Sequence, residues 1–317
     1  LSIPAGTTLR AQPVGVNAYI AIQQGAQINA VGTAQNPIVL TSNASNPGAG
    51  DWGGLVICGR APINSTADGS EDTATSEVGG LSYGGNIVAD NSGTVQYLRI
   101  EYAGGAIDGN AELNGLSLYA VGNGTTMDHI QIFEGSDDGV EFFGGTVNVS
   151  QVAVVNAEDD SIDWTEGYIG TLTDVYVQHG ANHDKAFECD GYNTDFSNEG
   201  GYFSAPNVNN VTVVGTGEAS TEGIRLRAGT QGIFTNVVVT DFEEAFDLDG
   251  DTGDNTTGQG VIDGLLQVID VSFNNVTTKL KNDTGFTFTE ADFISGDGNG
   301  TGTDVASWAT GWTVGIN

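Results

Sequence analysis

A short motif returns along the chain at intervals near 22 residues, and this limits the fold more than any other feature of the sequence. GLSLYAVG (115–122), GVEFFGG (139–145), SIDWTEG (161–167), AFECDG (186–191), GIRLRAG (223–229) and AFDLDG (245–250) each read small, apolar, polar, apolar, then on to a glycine. Their central residues are Ser117, Glu141, Asp163, Glu188, Arg225 and Asp247, spaced by 24, 22, 25, 37 and 22 residues. A second strand follows roughly half a period later: HIQIF (129–133), QVAVV (151–155), DVYVQ (174–178), NVTVV (210–214) and NVVVT (236–240). Asp128, Ser150, Asp174, Asn210 and Asn236 mark the corners before them, and Asn and Asp tolerate the left-handed backbone that a corner needs. Two or three short strands per turn, with neither hairpin spacing nor intervening helices, describe a parallel β-helix. The chain reads as one all-β solenoid domain over 1–317, of roughly a dozen coils and roughly 55–60 Å long. Loop insertions fall near 60–80, 192–203 and 251–260, and the end from 280 to 317 reads as irregular.

Strand alternation assigns the side chains. Val140 and Phe142, Ile162 and Trp164, Phe187 and Cys189, Ile224 and Leu226, and Phe246 and Leu248 should stack as inward ladders, with each block's central residue facing water. Cys189 then belongs to the core, while Cys58 lies in another column several coils away, so a bridge between these two cysteines is not expected.

Composition narrows the partners. The formal charge of −33, from 41 acidic and 8 basic side chains, excludes nucleic acid and anionic membrane surfaces. No apolar run is long enough to span a bilayer. The sequence opens at Leu1, already inside the repeat, which predicts an upstream piece that was cleaved or omitted.

Because the repeat stacks Glu141, Asp163, Glu188 and Asp247 on successive coils, like charges are forced within about 5 Å of one another. Arg225, protons or a cation must relieve them. Asp137, Asp138, Asp159, Asp160 and Asp184 lie at the turns into the blocks, and Asp190, Asp249 and Asp251 follow them. Flexible carboxylates in such number are the chemistry of calcium, so Asp137, Glu141, Asp163, Glu188, Asp190, Asp247, Asp249 and Asp251 are candidate Ca²⁺ ligands. His179 and His183 are separated by four residues but sit at a strand end, where that spacing is not expected to converge on zinc. Tyr168, Tyr192, Tyr202 and Phe203 either stack on sugars or cover the rod.

The turn motifs also resemble the polygalacturonase pattern of β-helix enzymes. SDDG (136–139), EDDS (158–161) and GIRLR (223–227) fall in three of its slots, while Lys185 stands where that family carries histidine. The resemblance implies Asp138, Asp159 and Asp160 as acid and base, with Arg225 nearby. Over its whole length, through LSIPAGTTL, INAVGTAQNPIVLTSN, GDWGGLVICGRAPIN, SGTVQYLRIEYAG and DDSIDWTEG, the chain is similar to a family of bacterial secreted and cell-surface right-handed β-helix proteins with the pectin-lyase-like fold. That likeness implies an extracellular or outer-surface location and no particular reaction. The leading expectation is therefore a calcium-assisted structural protein, a layer, filament or adhesin subunit that self-associates through its first coil or binds other surface proteins. The alternatives are a hydrolase or lyase acting on an acidic polysaccharide, and a carbohydrate-binding protein without turnover.

Overall fold

A computed structural model describes residues 1–67, 73–108, 111–250 and 256–316. Within them the expected right-handed parallel β-helix is present. One ladder passes through Ile20–Ile22, Leu55–Cys58, Leu116–Tyr119, Val140–Phe143, Ile162–Thr165, Phe187–Asp190 and Glu222–Arg227. It continues into the later parts of Gly232–Leu248 and Leu266–Asn282. A second ladder runs from Ser2–Ile3 through Ile28–Val31, Gly93–Glu101, Thr126–Phe133, Val149–Val155, Thr171–Gln178 and Asn207–Val214. The same two long strands and Ile294–Asp297 complete it.

That makes ten levels among the described residues, a rod of about 43 Å at strand spacing and shorter than the dozen coils expected. The segments between Cys58 and Gly93 and between Asp190 and Asn207 consume residues that a uniform repeat would have wound into further coils. The C-terminal end is also more ordered than expected. After Ile294–Asp297 the chain turns back along the rod: Gly300 accepts from Ser272, Gly302 from Asn236, and Trp312 from Arg99. Gln131 and Tyr176 are buried, and Gln131 donates to Val314 in this strap.

The inward ladders follow the alternation. Leu118, Phe142, Trp164, Cys189, Leu226 and Leu248 stack in register, and all are buried. Trp164 packs on Phe187 and Phe234 at 6.1 and 5.9 Å between ring centroids, and its indole N–H donates to Thr230 at 3.0 Å. Cys58 belongs to the outward column opposite Tyr119, and both cysteines are free and buried. Tyr168 and Tyr192 are buried as well, which gives them packing roles; Tyr168 stacks on Phe142 at 4.3 Å.

The corners are built from single left-handed residues. His129, Gln151, Asp174, Asn210 and Asn236 have φ between 52° and 61°. For the first two this lies one residue beyond the expected Asp128 and Ser150. Asp174, Asn210 and Asn236 also bond coil to coil: Asn210 donates to Asp174 at 3.0 Å and Asn236 to Asn210 at 2.9 Å. Asn236 in turn accepts from the backbone N–H of Thr301 and of Gly302, pinning the strap. Asn236→Ala is expected to cost about 2–3 kcal/mol, from left-handed strain and lost hydrogen bonds. Urea unfolding together with limited proteolysis of the strap would read this, and an unchanged midpoint with an uncut strap would refute it.

Candidate active site: an acidic cleft

The column Ser117–Glu141–Asp163–Glu188–Arg225–Asp247–Lys281 points outward in continuous register, as the alternation requires. Within it, Glu141 and Asp163 are only partly exposed. Glu77 from the first long insertion, Glu112 and Asn114 from the 103–114 segment, and the turns carrying Asp137, Asp138, Asp159 and Asp160 wall it into a cleft of about 270 Å³ over Glu141, Asp163 and Glu188.

Two of the turn aspartates have a local reason to be there. Asp138 accepts from the backbone N–H of Asp160 at 3.0 Å, and Asp160 accepts from that of Lys185 at 2.7 Å. Each carboxylate thus satisfies an amide one coil further on. The stacked strings DDG, DDS and DKA place Lys185 in the same column as Asp138 and Asp160, a position legible from the repeat. Its ammonium lies 2.5 Å from Asp184, 3.0 Å from Glu188 and 3.9 Å from Asp160. Burial disfavours that charge, but Asp160 and Glu188 outweigh it and the net shift is upward.

The carboxylates crowd in threes whose oxygen atoms lie within 4.8 Å of one another. These are Glu112, Asp137 and Asp159 at one side, and deeper in, Asp138 with Glu141 and Asp163, Asp138 with Asp159 and Asp160, and Asp160 with Asp163 and Glu188. Desolvation is the largest cause of the altered acidity of Asp137, Asp138, Glu141, Asp159, Asp160 and Asp163, and neighbouring negative charge adds to it. Asp137 is pushed up to about 8. Asp138, Glu141, Asp160 and Asp163 all rise well above the ordinary carboxylate range.

Asp163 and Glu188 are register neighbours in contrasting surroundings. Among the described residues Asp163 has no donor; burial and then the charges of Glu141 and Glu188 hold its proton on. Glu188 is bonded by both Lys185 and Arg227, so its negative charge is compensated. Glu141 is intermediate, accepting from Asn114 at 2.6 Å. A carboxylic acid beside a compensated carboxylate is the combination that acid–base chemistry requires.

The other candidates separate. Asp190 is bonded by Arg227 at 2.6 Å, Asp249 by Arg225 at 2.5 Å, and Asp247 by Lys281 at 3.2 Å, so cations of this chain already serve them. Arg225 stands one level beyond Glu188 and does not line the cleft. Asp251 lies outside the described residues. His179 and His183 lie side by side, with rings stacked at 4.4 Å. Burial, followed by the His183 charge, lowers His179 to about 4. Neither histidine belongs to a cluster of three ligands among the described residues. Glu77 and Glu112 were missed because they come from insertions, which share no register with the repeat, whereas Asn114 stands level with Asp138, one residue before the block at Gly115, and was overlooked.

Residues 1–313 match the family model described as a pectate-lyase-like β-helix domain. No curated protein matches the chain. Among solved structures, an alginate lyase from Paenibacillus sp. str. FPU-7 is 13% identical, over 93% of this chain and 88% of that one, with a TM-score of 0.43. The catalytic domain of a GH87 alpha-1,3-glucanase, in complex with tetrasaccharides, is 10% identical over 94% of this chain and 64% of that one, with a TM-score of 0.36.

Proposed function

The chain belongs to the family of pectate-lyase-like β-helix domains, and on that premise we propose that it is a polysaccharide-cleaving enzyme whose reaction centre is the acidic cleft. The expectation of a structural layer, filament or adhesin subunit gives way to this reading. The family match spans nearly the whole chain, and the outward carboxylates are gathered in a walled cleft, where a lateral contact surface would leave them spread and open. A cleft for polymeric glycan also fits the extracellular location expected from the sequence.

The observation that carries the proposal is the contrast between Asp163 and Glu188. Asp163, holding its proton, donates it to the glycosidic oxygen as the bond to the leaving sugar breaks. Glu188, charge-compensated by Lys185 and Arg227 and with an oxygen within 4.8 Å of one of Asp163, is too close to leave room for a water between them and acts as the nucleophile toward the anomeric carbon. Asp138 and Asp160, bound to backbone amides, fix the turns that frame the pair.

Calcium remains part of the proposal. The oxygens of Glu112, Asp137 and Asp159 lie close enough to one another to share one ion, and those three residues would hold it. When bound, it would neutralise that wall of the cleft and offer a contact to anionic sugar groups. The test is a panel of neutral and uronate polysaccharides incubated with the protein, with calcium or with a chelator, and read for new reducing ends and for unsaturated products. Cleavage of at least one polymer is expected. Binding without any product would replace the enzyme by a carbohydrate-binding protein.

A further inference from the structure

Beyond Glu188 the outward column changes character. Arg225, Asp247 and Lys281 occupy the next three levels in register, with Glu222, Glu244 and Asp249 beside them. Of only eight basic residues in the chain, Arg225 and Lys281 fall on this short stretch, and Arg227 stands beside Arg225 on the same strand. In so acidic a protein, that concentration makes the step next to the cleft a mixed-charge surface.

Its hydrogen bonding is incomplete. Asp247 is 2% exposed, and while its Oδ2 meets Lys281, its Oδ1 has no partner. The Arg225 Nε–H has no acceptor, although the same guanidinium bonds Asp249 through Nη2 at 2.5 Å. Glu222 Oε2 lies 3.6 Å from Arg225 Nη1, too far for a hydrogen bond, and is also unpartnered. Three of the buried orphan atoms of the described residues thus meet at one step of one column. Buried polar groups left this way are costly and call for a partner. The Arg225 and Lys281 side chains are 27% and 35% exposed, so the step borders solvent.

The orphans specify that partner. One is a donor and two are acceptors, so the ligand must both accept and donate. A hydroxyl does both, whereas a carboxylate only accepts. Four carboxylates against two cations, moreover, leave the step net negative and repel an anion. A metal ion is a poorer match, because the Lys281 ammonium already sits 3.3 and 3.2 Å from Glu244 and Asp247. We infer that Arg225, Asp247 and Glu222 form a subsite for a neutral, hydroxyl-bearing sugar of a glycan chain that runs along the rod axis through the cleft.

This inference rests on the cleft being the place where glycan is cleaved, and its test separates the two. Titration calorimetry of the Asp163→Asn protein against neutral gluco-, manno- and galacto-hexasaccharides, and against hexauronates of equal length, is expected to show binding of a neutral chain, insensitive to ionic strength. Arg225→Gln and Asp247→Asn should each weaken it by about ten- to a hundredfold, with circular dichroism confirming that both variants fold. Tighter binding of a hexauronate, no binding by any neutral chain, or unchanged affinity in both variants would overturn the subsite. Neutral binding to a wild-type protein that cleaves nothing would uphold the subsite and remove the cleavage reading.

Discussion

Asp163→Asn is expected to lower kcat on the polymer found by the glycan panel by about a thousandfold, with KM changed severalfold at most. Asparagine keeps the size and shape of aspartate but has no acidic proton, so it removes the donation and little else. The same substitution carries a second signature. Asp163 is stacked between Glu141 and Glu188 with no donor of its own among the described residues, so once the pH is high enough to ionise it a neutral amide there relieves repulsion, and the melting temperature of the variant should fall less with rising pH than that of the parent. Loss of activity with a flatter dependence of stability on pH distinguishes a catalytic carboxyl from a structural one, whose removal would lower activity and stability alike. Activity within tenfold of the parent would remove Asp163 from the acid's role.

The second large effect is on stability against pH. Asp137, Asp138, Glu141, Asp160 and Asp163 all hold protons more tightly folded than unfolded. Between the unfolded value near 4 and the folded values, which for Asp137 is about 8, the native state binds more protons than the unfolded chain. The slope of unfolding free energy against pH is therefore negative in that window. Stability from these groups is fully present below about pH 4 and is lost as pH rises through the folded values. In the absence of divalent ions the melting temperature should fall by several degrees or more from pH 5 to pH 8, opposite to a protein held by ordinary carboxylate salt bridges. Millimolar calcium should restore part of the loss at pH 8 and do little at pH 5, where the ligands are protonated. Replacing Asp137 and Asp159 by asparagine together should flatten both dependences. A melting temperature that rises between pH 5 and pH 8 without calcium would contradict the burial of these carboxyls.

The inward ladder from Val140 and Phe142 to Phe246 and Leu248 was legible residue by residue, because a side-chain period of two leaves one register that buries the apolar set. The carboxylate column was legible for the same reason. Two charged residues of the site escaped. Lys185 was visible in the alignment of turns but was read as a missing histidine, when its place beside Asp160 makes it the counter-charge to Glu188. Arg227 stands two residues beyond the repeat's central position, and only stacking on the Asp190 level shows that it reaches Glu188 as well. The turn aspartates were recognised, yet their bonds to the amides of the next coil were not, since those depend on how the turns superpose.

What the sequence determined by itself was therefore the periodic part: the solenoid, the inward and outward columns, and the forced stacking of like charge. Those follow from local alternation and a repeat length, which act along the chain. What the tertiary structure alone decided was the fate of that charge. Glu77 and Glu112 arrive from insertions without register and, together with Asn114, wall the space above Glu141 and Asp163. Lys185, Arg225, Arg227 and Lys281 meet their carboxylates across coils. An ionised carboxylate in water and a proton-bearing one in a cleft are the same residue in sequence. Desolvation and the nearest charges separate them, and both depend on which parts of the chain meet in space.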